Sequence, residues 1–141
     1  MLGPTFSALT GLNNASKRLQ NSANNLANVQ TAGFKKGKVT SVQSKSGETR
    51  VNSVSRVNSQ GGLIPTNNPL DFAIEGNEFF QVTNPNQGPF GSVLSGFLEG
   101  SNVDIAEAMV DQFVTKATFE ANVNVIKAND EMIGSLLDIK S

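Results

Sequence analysis

Cysteine, histidine, tryptophan and tyrosine are all missing from the 141 residues. Without cysteine there is neither a disulfide nor a thiolate metal site. Without histidine the commonest general base and metal ligand is gone. Charge is scarce and even: 11 basic and 12 acidic residues leave a net charge of −1, so nothing points to nucleic acid or an acidic membrane surface. No apolar run reaches the roughly 18 residues that would mark a membrane span. Met1-Leu2-Gly3-Pro4-Thr5 lacks the basic start and apolar core of a cleavable secretory signal, which by itself makes a cytoplasmic protein the default expectation. Hydrophobic residues make up 38% of the chain, below the usual range for a globular domain, while Asn, Ser and Gly are abundant. The length suits one domain of ordinary size.

What is present is dominated by the C-terminal quarter. Val103, Ala106, Val110, Val114, Ala117, Ala121, Val125, Ala128, Met132, Leu136 and Ile139 are all apolar. Their steps of three and four give eleven residues per three turns, so the row stays on one face of a straight or slightly right-handed helix. Such a rod is roughly 55 Å long at 1.5 Å per residue. A second row, Ile105, Met109, Phe119, Val123, Ile126, Ile133 and Leu137, lies beside it, with Phe113 between the two. A helix apolar on two sides must bury two sides. Few other apolar segments exist here to cover both, so the helix is expected to meet neighbours from other chains. A core helix of an ordinary bundle is the alternative on periodicity alone.

Phe6 to Val29 reads as a first helix. Leu9, Leu12, Ser16, Leu19, Ala23 and Leu26 form a 3,4-spaced seam of the kind that pairs helices, and the opposite face is rich in Asn. Asn is a poor helix former, so this helix needs a partner, and the C-terminal helix is the obvious one. Asn28 and Thr31 suit the helix end, Gly33 the turn after it, and Phe34 can pin the exit. Residues 37–60 read as extended segments and loops with weak strand character. Asn68-Pro69 starts a turn, Leu70 to Ile74 reads as a strand, Glu75 to Glu78 as a hairpin turn, and Phe79 to Val82 as the returning strand. Residues 84–91 read as a loop.

Three stretches resemble one family. Ala23 to Lys35, Gln60 to Val82, and Leu98 to Val110 closely resemble, in order, the N-terminal, middle and C-terminal signatures of bacterial flagellar axial proteins: rod, hook and hook-associated proteins. Glu78 stands where the family usually has Gly, which affects the turn type and not the hairpin. The resemblance implies a mainly α fold, with N- and C-terminal helices paired as a coiled-coil-like layer (residues 1–36 and 98–141) and a β-hairpin or extended insert (37–97). Only about fifteen residues follow Val82 before the C-terminal signature, where hook and distal-rod relatives carry a long β-rich insertion, so outer domains are expected to be absent. The implied role is a structural subunit of the flagellar rod that polymerises helically into a tube transmitting torque around an export channel. The implied partners are copies of itself, other rod and hook subunits and the export apparatus, and the location is the basal body, reached without a cleaved signal.

Under that resemblance the assembly contacts are expected at Leu9, Leu12, Leu19, Leu26, Asn28, Thr31, Gly33 and Phe34, and at Val103, Val110, Val114, Phe119, Val125, Ile126, Met132 and Leu136. The β motif is carried by Asn68, Pro69, Leu70, Asp71, Gly76, Phe79 and Phe80. A soluble helical adaptor, or the truncated core of a hook protein, are the rival readings. Chemistry finds little support. Asp104, Glu107 and Asp111 share a helical face and could in principle hold a divalent cation, but acidic residues near a helix N-terminus are ordinary. Asn102 or Asp104 can serve as the N-cap of this helix, and Asp104 with Glu107, unlike Asn102 with Ile105, completes a capping box. Gly61-Gly62 and Gly88-Pro89-Phe90-Gly91 are not phosphate loops, and no nucleophile–base pair is present. No enzyme, cofactor or metal is expected.

Overall fold

A computed structural model of the chain describes residues 2–44, 49–76 and 92–138. Helix α1 spans Leu2–Ala27 and helix α2 spans Ile105–Asp138. Among the described residues six strands lie between them: β1 (Gly37–Gln43), β2 (Thr49–Arg56), β3 (Leu63–Pro65), β4 (Phe72–Glu75), β5 (Ser92–Ser95) and β6 (Phe97–Glu99). At 1.5 Å per residue α2 is about 51 Å long.

About half of the described residues are helix and about a quarter are strand, so the fold is mixed and the expected mainly α class is wrong. The strands form three separate two-stranded antiparallel sheets, β1–β2, β3–β6 and β4–β5. The β1–β2 ribbon accounts for most of the difference. It pairs Gly37 with Arg56 through to Gln43 with Thr49, with a bulge between Thr40 and Ser41. Most of its residues are exposed, so neither face imposes the apolar alternation that would mark a strand in sequence. The ribbon lies against α1: Ser41 Oγ donates to Asn14 Oδ1 at 2.8 Å, and Thr49 N–H donates to Thr10 Oγ1 at 3.4 Å.

The helices do pack against one another. The coiled-coil-like layer is nevertheless also a misreading, because the contact is made by small and polar side chains rather than an apolar seam. Helix starts and turns follow local chemistry closely. Asp104 caps α2, its Oδ1 accepting from the backbone N–H of Ala106 at 2.8 Å and of Glu107 at 3.1 Å. Gly33 has φ +69°, the left-handed turn expected after α1. In the Asn68-Pro69 turn Asp71 N–H donates to the Asn68 carbonyl at 3.1 Å, and Asn68 Oδ1 accepts from Leu70 N–H at 3.2 Å. Strand β4 overlaps the expected Leu70–Ile74 stretch at Phe72–Ile74 and runs on to Glu75, which was expected in the turn; its described partner is β5, with Phe72 opposite Ser95 and Glu75 opposite Ser92. The expected return strand at Phe79–Val82 and the loop at 84–91 lie outside the described residues.

Candidate assembly interface

Four α2 residues spaced seven apart, Ala108, Thr115, Asn122 and Asn129, line the side of α2 that faces α1; Ala108, Thr115 and Asn129 are buried. On α1 the buried residues are Ala8, Ala15 and Ser22, also seven apart. Polar ties cross between them. Ser22 Oγ donates to the Ala108 carbonyl at 3.0 Å, Asn129 Nδ2 donates to Thr5 Oγ1 at 2.8 Å, and Arg18 forms an ion pair with Asp111. Between these ties Asn122 stands over Gly11, where a Cβ would meet its amide group at 2.8 Å. Small residues permit this close approach, and the ties satisfy polar groups that burial would otherwise penalise.

The apolar rows flank this seam. One residue step turns a helix by about 100°, so Val114 and Ala121, one position before Thr115 and Asn122, lie roughly a quarter turn to one side. Met109 and Val123, one position after Ala108 and Asn122, lie about as far to the other side. Both rows are largely open to solvent: Val110 is 60% exposed, Val114 51%, Val125 45%, Met132 58% and Leu137 71%. Phe119 and Leu136 are exposed, while Val103 and Ile126 are half-buried. On α1 Leu9 and Leu19 are exposed, and Leu12 and Leu26 half-buried, on one flank of the Ala8–Ala15–Ser22 line. The expected seam on α1 is thus displaced from the one that meets α2. Among the described residues the buried apolar side chains are four alanines: Ala8, Ala15, Ala73 and Ala108. Eleven large apolar residues of α2 are exposed. Contiguous apolar surface of this kind marks an interaction site.

A polar junction joins the end of α1, the ribbon, β6 and the start of α2. Lys35 Nζ bonds Glu99 Oε1 at 2.5 Å and the Ser59 carbonyl at 3.1 Å, and Gly61 N–H donates to the same Glu99 oxygen at 2.8 Å. Burial alone would push the Glu99 carboxyl up, but the bonds from Lys35 and Gly61 and the Lys35 charge outweigh it, so it ionises below the ordinary glutamate value. Asn102 Oδ1 accepts from Lys36 N–H at 2.6 Å while its Nδ2 donates to the Val57 carbonyl at 2.7 Å. Asn25 brackets Gly37, accepting from its N–H at 2.8 Å and donating to its carbonyl at 2.9 Å. The helix-end residues take the expected local bonds: Thr31 Oγ1 to Asn28 Oδ1 at 3.2 Å and Asn28 Nδ2 to the Asn24 carbonyl at 2.9 Å. Gly33 N–H donates to the Glu99 carbonyl at 2.7 Å, and Asn102 N–H to the Phe34 carbonyl at 3.2 Å.

The β motif folds apart from the helices. Leu70 is exposed and Asp71 half-buried, and Gly76 has φ +126°. Gln60 ties this unit to the junction, its Oε1 accepting from Gly76 N–H at 3.0 Å. Phe79 and Phe80 lie outside the described residues. Each carboxylate of the acidic helix face is engaged: Asp104 in the cap, Glu107 with Lys36 at 2.6 Å, and Asp111 with Arg18. Among the described residues no three His, Cys, Asp or Glu side chains are placed to hold a metal ion. No described helix is long and apolar enough to cross a membrane.

Residues 94–139, which take in β6 and the whole of α2, match the family described as flagellar basal body rod FlgEFG protein C-terminal. The flagellar hook protein FlgE of Escherichia coli K12 is 27% identical over an alignment covering 97% of this chain and 37% of that protein. These matches make the chain similar to flagellar rod and hook proteins. Two further relatives come from Bacillus subtilis 168. The flagellar hook-basal body complex protein FlhP is 32% identical over 63% of this chain and 35% of its own length. The flagellar basal-body rod protein FlgG is 36% identical over 40% and 21% respectively. The chain spans about a third of the length of the hook proteins it matches. The junction residues Lys35, Glu99 and Asn102 fall inside the stretches that resemble the N- and C-terminal signatures, so those stretches meet in space. Sequence reasoning missed the seam residues Thr5, Arg18, Ser22 and Asn129. A search for apolar periodicity passes over a polar row, although the seven-residue spacing was there to find.

Proposed function

We propose that this chain is a structural subunit of the bacterial flagellar axial structure, and more narrowly of the rod, polymerising helically into a tube that transmits torque around an export channel. The observation that carries the reading is the pair of exposed apolar rows on either side of the α2 seam. A single copy has nothing large and apolar buried among its described residues, so its hydrophobic driving force is left for contacts between copies. Two flanks that differ in residue make heterologous contacts, and heterologous contacts that do not close generate open helical assemblies. The terminal segments 1–36 and 98–141, which carry α1 and α2, form the tube wall in this reading, with 37–97 outside it. Partners are further copies and other rod or hook subunits. In this reading the chain reaches the basal body through the flagellar export apparatus.

A place in the hook is the second reading, favoured by the hook-protein alignment that covers 97% of the chain. The test is electron microscopy of isolated hook–basal bodies carrying a tagged chain. Label along the rod is the expected result, label in the hook selects the second reading, and label in neither overturns both. A soluble adaptor is separated from an axial subunit by dilution. The axial reading expects a marginally stable chain whose unfolding temperature rises with concentration, whereas the unfolding temperature of a monomeric adaptor does not change on dilution.

A further inference from the structure

The exposed position of the apolar rows is not what hydrophobicity alone would choose. Rolling α2 by roughly a quarter turn about its own axis would bring Val114, Ala121 and Val125 onto α1 in place of Thr115 and Asn122. That would bury apolar surface inside a single copy, which is favourable. Something holds α2 in the other rotation, and the structure contains the devices that do it. Three polar ties are spread along the seam: Ser22 to the Ala108 carbonyl at 3.0 Å, Arg18 to Asp111, and Asn129 to Thr5 at 2.8 Å. They lie at both ends of the helix pair. A roll that satisfied one end would still break the other. Between them Asn122 sits over Gly11. Breaking a tie leaves a buried polar group unpaired, and Ser22 and Asn129 are both buried, so each resists the roll. Buried polar residues are known to set register where apolar packing alone would leave alternatives.

We propose that Arg18, Ser22 and Asn129 are positioning residues that fix the rotation of α2 against α1 and thereby keep both apolar rows facing outward for a second copy. This deepens the assembly reading above and rests on it for the identity of the partner. The seam is therefore a specificity device as well as a packing contact. It gives up burial within one copy so that the same surface remains available between copies.

The absence of native cysteine makes the rotation directly measurable. Gly11→Cys with Asn122→Cys places two thiols across the observed contact, and Gly11→Cys with Ala121→Cys reports the rolled state. In the dilute parent chain the first pair is expected to form its disulfide at least tenfold faster than the second. Adding Arg18→Ala and Asn129→Ala is expected to reverse or erase that ratio, with helicity retained and assembly reduced at least tenfold. An unchanged ratio overturns the proposal. Ser22→Ala and Asn129→Ala singly cover the case in which the combined variant does not fold. Each is expected to shift the ratio part of the way, and no shift in either overturns the proposal. Thr115→Val is the matched control, because Thr115 is buried in the same seam and its Oγ1 has no hydrogen-bond partner among the described atoms. It is expected to leave ratio and assembly unchanged; a loss equal to that of the tie variants would assign the effect to packing and overturn the proposal. The crosslink ratio is read on dilute chain and so decides this inference by itself. A parent that polymerises while the unlocked variant polymerises equally well contradicts the positioning role alone, whereas a parent that never polymerises contradicts the assembly reading.

Discussion

The α1–α2 seam and the flanks of α2 use the same helix in opposite ways. The seam is small and polar, closely approached and tied at both ends, with Ala8, Ala15, Ser22, Ala108, Thr115 and Asn129 all buried. The flanks are large and apolar and face solvent from Ile105 to Leu137. In an ordinary monomeric domain the arrangement is reversed, with the large apolar residues inside. The contrast teaches where the stability of this protein resides. Within one copy, polar ties and helix ends specify geometry; in the assembly proposed above, the apolar rows supply the free energy between copies. The chain alone is consequently expected to be only marginally stable.

The sharpest way to break this comparison is to put a charge on a flank. Val125→Asp is expected to leave the dilute chain within about 0.5 kcal/mol of the parent, since the residue is already 45% exposed there. The same carboxylate buried between copies costs several kcal/mol or is forced to protonate. Every copy carries the defect, so assembly and swimming in soft agar should be lost. Normal swimming would mean that this flank is never buried.

The next largest effect belongs to the junction that aims the helices. Gly61→Ala would place a Cβ 2.2 Å from the Gly100 carbonyl oxygen, and backbone must move to admit it. A loss of about 1–3 kcal/mol is expected in thermal or denaturant unfolding of the chain, the reverse of the Val125→Asp pattern. Tolerance without loss would show that the junction is looser than the bonds of Glu99 and Asn102 imply.

A pH series sharpens the same point. The Glu99 carboxyl ionises below the ordinary glutamate value in the folded chain. A group depressed on folding stabilises above its unfolded pKa, and the contribution disappears as pH falls through the folded value. Stability should therefore be level above the ordinary glutamate range and decline on acidification below it. Glu99→Gln should remove part of that decline and lower stability at neutral pH. An unaltered acid limb in Glu99→Gln would show that other carboxylates cause it.

The smallest effect is expected at Lys127, which lies on α2 about opposite the seam line through Asn129. Lys127→Ala should change stability by less than about 0.5 kcal/mol and leave swimming close to normal. A loss as severe as that of Val125→Asp would put the back of α2 in contact as well, and the distinction between flanks and back would fail.

Local chemistry in this chain was legible from sequence, and long-range packing was not. The α2 cap at Asp104, the left-handed Gly33 and the Asn68-Pro69 turn each follow from one or two residues whose preferences act within a few positions. The two apolar rows on α2 were equally plain, because their period is that of a helix. The β1–β2 ribbon was read only as weakly extended, since Val39, Val42, Val51 and Val54 alternate on faces that are mostly solvated. The helix–helix contact was assigned to Leu9, Leu12, Leu19 and Leu26 because apolar residues normally make such contacts. Here a polar row won that place. Nothing in the spacing of leucines says that the apolar face is reserved for another copy.

The central claim, that the apolar rows are exposed in one copy and covered between copies, is tested most directly by thiol accessibility. Val114→Cys and Val125→Cys, each introduced singly into this cysteine-free chain, give one probe on the long row apiece. In dilute chain both should react with a soluble maleimide about as fast as an exposed thiol, and in assembled material the rate at both should fall at least tenfold. Reaction rates that are the same before and after assembly would contradict the account.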